Sequence, residues 1–120
     1  PIYAPKVETD FLKVKKLNKT LYINAPGNNW TPNLSLGSLQ SQIITGDIEI
    51  EFPTNYITGD EFTLIVIQDA VGGHDITLST SYKIRNQETI NTDPGAITKI
   101  ECLVLSSATI LTEVKSNYSV

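Results

Sequence analysis

The sequence predicts an all-β protein, a two-layer antiparallel β-sandwich of jelly-roll type preceded by an N-terminal arm. Three observations lead there. Residues Ile44–Phe52 alternate, with Ile48, Ile50 and Phe52 on one side and Asp47, Glu49 and Glu51 on the other. That is the pattern of a strand with one face in a core and one in water. Phe62-Thr63-Leu64-Ile65-Val66-Ile67 is rich in β-branched and aromatic types, which suit a pleated, buried surface. Strand-like segments then recur to the C-terminus, separated by turn residues and without a convincing long helix.

The first thirty-odd residues differ from the rest. Phe11, Val14 and Leu17 fall on one stripe of a short helix that Thr9 and Asp10 would cap, but Leu12, Val14 and Leu21-Tyr22-Ile23 suit strands equally. Ala25-Pro26-Gly27-Asn28-Asn29-Trp30-Thr31-Pro32-Asn33 reads as loop. The domain reading is therefore an arm over 1–33, for attachment or oligomerisation, and a sandwich over 34–120. Leu34 and Leu36 open the sheet, and Pro53-Thr54-Asn55 turns the chain toward its centre.

Residues 59–79 read as a hairpin, the first strand ending at Gln68-Asp69 and the second resuming at Ile76-Thr77-Leu78. Gly72-Gly73 supplies the turn, because glycine enters positive φ without steric cost. Tyr82–Arg85 is a short edge segment, residues 86–95 are a polar loop, and Ala108–Val114 is the last strand. The expected core is Ile48, Ile50, Phe52, Phe62, Leu64, Val66, Ile76, Leu78, Ile100, Cys102 and Val104.

Two strands carry a surplus apolar face. Ile65 and Ile67 point away from Phe62, Leu64 and Val66, and Leu103 and Leu105 point away from Ile100, Cys102 and Val104. A strand apolar on both faces must be covered on both, and in a small domain this points to oligomerisation. Ile65, Ile67, Leu103 and Leu105, with Phe11, Val14 and Leu17 of the arm, are the expected oligomer interface.

Composition excludes several function classes. The net charge is −4 and the acids are spread along the chain, so the basic stripe of a nucleic-acid binder is missing. The one basic cluster, Lys13-Val14-Lys15-Lys16, has Glu8 and Asp10 close by and reads as a solvated face. No apolar run approaches the ~20 residues of a membrane span, and no membrane insertion is expected. Cys102, the single cysteine, falls between Ile100 and Val104 and reads as a small buried hydrophobe. With one histidine, His74, and no metal-ligand spacing, neither a catalytic constellation nor a metal site nor a cofactor is expected. Trp30 has two readings, a ring for stacking on a sugar or a ring folded onto a core edge.

The segments around the centre resemble a small β-sandwich module of bacteriophage tail-fibre, receptor-binding and head-fibre proteins. The resemblance rests on Thr45–Phe52, on Gly59–Asp69 ending Gln68-Asp69, on Gly72-Gly73 followed by His74–Leu78, and on Ile100–Leu105. It covers residues 34–114, and its most specific piece is Gln68-Asp69 with Gly72-Gly73. His74 replaces the basic residue usual after the glycines, and Ser79-Thr80-Ser81 stands where a tryptophan is common. The resemblance implies a non-enzymatic virion structural protein: a head fibre, tail fibre, spike or decoration subunit. It also implies a homotrimer bound to other virion proteins, in contact with the host surface. The alternative is a glycan-binding module on a virion or bacterial surface, using Trp30.

Overall fold

The computed structural model describes residues 20–85, 87–116 and 118. Among the described residues there is no helix. The strands are β1 (Tyr22–Ile23), β2 (Leu39–Ile44), β3 (Ile48–Ile50), β4 (Glu61–Gln68), β5 (Ile76–Leu78), β6 (Tyr82–Arg85), β7 (Ile97–Ser106) and β8 (Thr109–Lys115). They form a six-stranded sheet in the order β1-β2-β4-β7-β8-β6 and a two-stranded sheet, β3-β5.

The all-β expectation holds, but the two-layer jelly-roll sandwich does not: the chain winds as a β-solenoid of about three turns. Successive coils lie on one another through parallel ladders, β1 on β2, β2 on β4 and β3 on β5. Tyr22 pairs with Gln40 and Gln40 with Leu64 on the large sheet. Trp30 bridges to Ile50, which pairs with Leu78 on the small one. Further parallel bridges join Gly27 to Ile44 and Asn33 to Thr54, so residues 20–33 lie along the second coil. Antiparallel pairing is confined to β7, which pairs with β4 and β8, while β6 pairs with β8 in parallel. Alternation says which side chains point inward; it does not say which backbone the strand pairs with.

The expected hairpin over residues 59–79 is likewise corrected. β4 and β5 do not pair but lie in different sheets, β4 in the large one and β5 in the small one. The segment between them turns the corner of a coil. The expected strand over Ile44–Phe52 is divided too: Ile44 ends β2, and β3 occupies only Ile48–Ile50 after the corner. Asp47 Oδ1 at that corner accepts the Asp75 N–H at 2.8 Å, tying it to the corner of the next coil. Leu34 and Leu36 lie in a turn before β2 rather than in a strand.

The core lies between the sheets. Ile48, Ile50, Phe62, Leu64, Val66, Ile100, Cys102 and Val104 are buried in it, with Phe52, Ile76 and Leu78 packed against it. Trp30, Ile44, Tyr82, Ile110 and Val114 complete it. One strand inverts the expected pattern. β2 turns Gln40 and Gln42 inward, both buried, and leaves Ile43 39% exposed. The glutamines are tolerated inside because the coil before them supplies acceptors. Gln40 Nε2 donates to the carbonyls of Asn33 (2.8 Å) and Gly37 (2.9 Å), and Gln42 Nε2 to that of Asn29 (3.0 Å).

Candidate functional site: the outward face of the six-stranded sheet

Strand alternation leaves one row of side chains per residue pair on the outer face of the large sheet. The register aligns them across strands. Ile43, Ile67 and Ile97 form one row across β2, β4 and β7. The next carries Ile23, Ser41, Ile65, Lys99 and Lys115. After it come Leu39, Thr63, Glu101, Glu113 and Arg85, and then Glu61, Leu103, Leu111 and Lys83. Moving along the strands, the face is isoleucine-rich at one end, charged in the middle and leucine-bearing at the other end.

The charged band is internally bonded. Lys99 Nζ and Lys115 Nζ each lie 3.0 Å from a different oxygen of Glu101. Their hydrogen bonds and charge, Lys115 first, hold the Glu101 carboxyl below the usual range. Between this band and the leucine-bearing row the sheet surface dips into a depression of about 560 Å³, lined by Glu101, Glu113 and Arg85 on one side and by Glu61, Leu103, Leu111 and Lys83 on the other.

The residues expected at an oligomer interface fall on this face in two groups. Ile65 and Ile67, half-buried, lie at the isoleucine end; Leu103, half-buried, and Leu105, 54% exposed, lie at the other. Reading the sequence missed that Ile43 and Ile97 extend the first group and Leu111 the second. Their alternation was available; their register across strands was not. Phe11, Val14 and Leu17 lie outside the described residues.

Trp30 is 4% exposed and belongs to the core cluster, so its ring offers no open stacking face here. Cys102 is buried in the core on the inner face of β7, and desolvation pushes its thiol up to about 12, far from a nucleophile's range. Among the described residues no three His, Cys, Asp or Glu side chains come together as a metal site. Glu49 in β3 and Glu51 just after it are both exposed, and the hydrogen bond from Glu49 raises the Glu51 pKa.

The corner after β4 has the most elaborate bonding of any turn described. Asp69 Oδ1 accepts from the Val71 and Gly72 N–H groups at 3.0 Å each and lies 3.0 Å from His74 Nε2. A carboxylate only accepts, so Nε2 carries the proton in this contact. These bonds, led by Gly72, lower the Asp69 pKa. Gly72 has φ +70°, and a Cβ placed on it would meet Pro94 N at 2.6 Å and Thr92 O at 2.8 Å. No side chain fits there.

The sequence model described as "Putative phage tail fibre C-terminal domain" matches residues 30–106. The chain belongs to this tail-fibre family. The match runs from the core residue Trp30 to the end of β7, and so covers the second and third coils and their corners. Neither the curated proteins nor the solved structures gave a match. Membership places the protein in the phage virion, in a structural role and in association with other virion proteins. It also gives Gln68-Asp69 and Gly72-Gly73, the most specific part of the resemblance, a physical meaning: they build the corner by which one coil passes from the large sheet to the small one.

Proposed function

We propose that this tail-fibre domain is a non-enzymatic virion subunit that assembles as a homotrimer through the isoleucine end of its six-stranded sheet. The observation that carries the reading is the row Ile43–Ile67–Ile97 with Ile65 and Ile23 beside it, Ile23 being 70% exposed. Burying an aliphatic side chain contributes roughly 1.5–3 kcal/mol, so leaving several adjacent ones in water makes a surface that favours association. Three is the number that the family resemblance implies. A head fibre, tail fibre, spike or decoration subunit would each use such a contact, and any meeting with the host surface would rest on loops at the coil corners.

The test is the mass of the purified chain by light scattering in high salt, where exposed ion pairs are screened. Three chains are expected for the native protein, and smaller or aggregated species for Ile67→Asp, which places a carboxylate in each copy of the contact. A monodisperse single chain would remove the proposal.

A further inference from the structure

We infer that the leucine-bearing depression is a second contact between copies of this chain, formed face to face about a two-fold axis running along the strands. It goes beyond the three-fold reading and uses different residues. The register places Glu61, Leu103, Leu111 and Lys83 in one row across β4, β7, β8 and β6. Read in either direction the row is charge, leucine, leucine, charge, with opposite signs at its ends. A half-turn about an axis along the strands lays a second copy on it in reverse order. Glu61 then meets the partner's Lys83, Leu103 meets the partner's Leu111, and both ends are satisfied at once. The isologous geometry of a two-fold contact requires this self-complementarity.

In the adjacent row the same rotation brings Thr63 over the partner's Arg85 and Glu113 over the partner's Glu101, a carboxylate whose charge its own Lys99 and Lys115 offset at 3.0 Å. The depression also leaves its leucines without a cover of their own: Leu111 is exposed and Leu103 half-buried. Within one chain Glu61 and Lys83 stand three strands apart, about 14 Å at the usual strand spacing. Both leucines lie between them, and Lys83 Nζ donates to the Thr80 carbonyl at 2.9 Å. A charge swap between these two positions therefore reports on contact between copies.

The experiment is the mass of the chain in low and in high salt, for the native protein and for Glu61→Lys, Lys83→Glu and the double variant. Both positions are exposed, and unchanged melting temperatures confirm that the variants fold. The native mass is expected to double from three chains to six on passing from high to low salt. Either single reversal should abolish the doubling, and the double variant should restore it. Three chains at both salt concentrations, or single reversals that still double, or a double variant that does not, would overturn the inference and leave the three-fold reading standing. Two chains in low salt and one in high, governed by the same swap, would support the inference and remove the three-fold reading. One chain throughout removes both.

Discussion

The buried side chain of Gln68 holds the backbone of His74 from both sides. Its Nε2 donates to the His74 carbonyl at 2.8 Å, and its Oε1 accepts the His74 N–H at 3.1 Å. Gln68 ends β4 with only 2% of its surface exposed, and His74 leads into β5, so one amide bridges the two sheets at the corner. Asp69 meets the imidazole of the same residue, and Gly73 N–H donates to the Thr92 carbonyl at 2.7 Å. A motif that looks like a turn signal is thus a clamp.

Replacing Gln68 by Leu should break the clamp and leave a peptide N–H and C=O without partners in a half-buried place. An unsatisfied buried polar group costs about 1–3 kcal/mol, and that is the loss expected in denaturant titration. Gln68→Glu keeps the acceptor but sets a buried carboxylate against the His74 carbonyl, so its loss should be at least as large at neutral pH and should shrink as acid protonates it. Equal stability of Gln68→Leu and the native chain would mean that the clamp is not needed.

Leu64 pairs with Ile100 across the centre of the large sheet and is fully buried. Leu64→Ala should cost ~2–5 kcal/mol, as large-to-small core changes do. Glu49 points outward from β3 and is exposed, so Glu49→Ala should change stability by less than about 0.5 kcal/mol. Chemical denaturation of both variants checks the assigned inward faces.

Trp30→Ala should lower stability by roughly 3–5 kcal/mol, because the indole is part of the core. Binding to host cells or to a glycan array should be unchanged. A loss of glycan binding at an unaltered melting temperature would instead favour a role for this ring in sugar recognition.

Acid should weaken the fold through Glu101 and Asp69. Both carboxyls titrate below their ordinary values, 4.5 and 3.8, because the folded state holds them ionised. Their contribution is present above those values and is lost as pH falls through the lowered folded ones. Glu101→Gln should flatten the acid limb of a plot of melting temperature against pH while changing the neutral value little, since the ion pairs are partly exposed. An acid limb as steep as that of the native chain would show that Glu101 does not contribute to it.

How much of this was legible beforehand differs from strand to strand. For β3, β4 and β7 the inward residues follow from alternation, because the side-chain period of a strand is two wherever it pairs. The same rule failed at β2, where Leu39-Gln40-Ser41-Gln42-Ile43 puts its glutamines inside and an isoleucine outside. Polarity normally marks the wet face; here it is reversed because the carbonyls of the first coil stand ready to accept the glutamine amides. Nothing local in the sequence announces acceptors supplied by residues 29–37.

By itself the sequence determined that the described residues are all-β, which faces of β3, β4 and β7 are apolar, and, through its motifs, the family. Only the tertiary structure decided the partners: coil upon coil in parallel rather than hairpin upon hairpin, with β4 and β5 in separate sheets. The reason is that backbone hydrogen bonds are nearly blind to side-chain identity, whereas corners are not. Asp69, Gly72 and Gln68 choose a path that carries the chain across the core, and that path sets the register. The register in turn places Glu61 and Lys83, distant in sequence, at the two ends of one row.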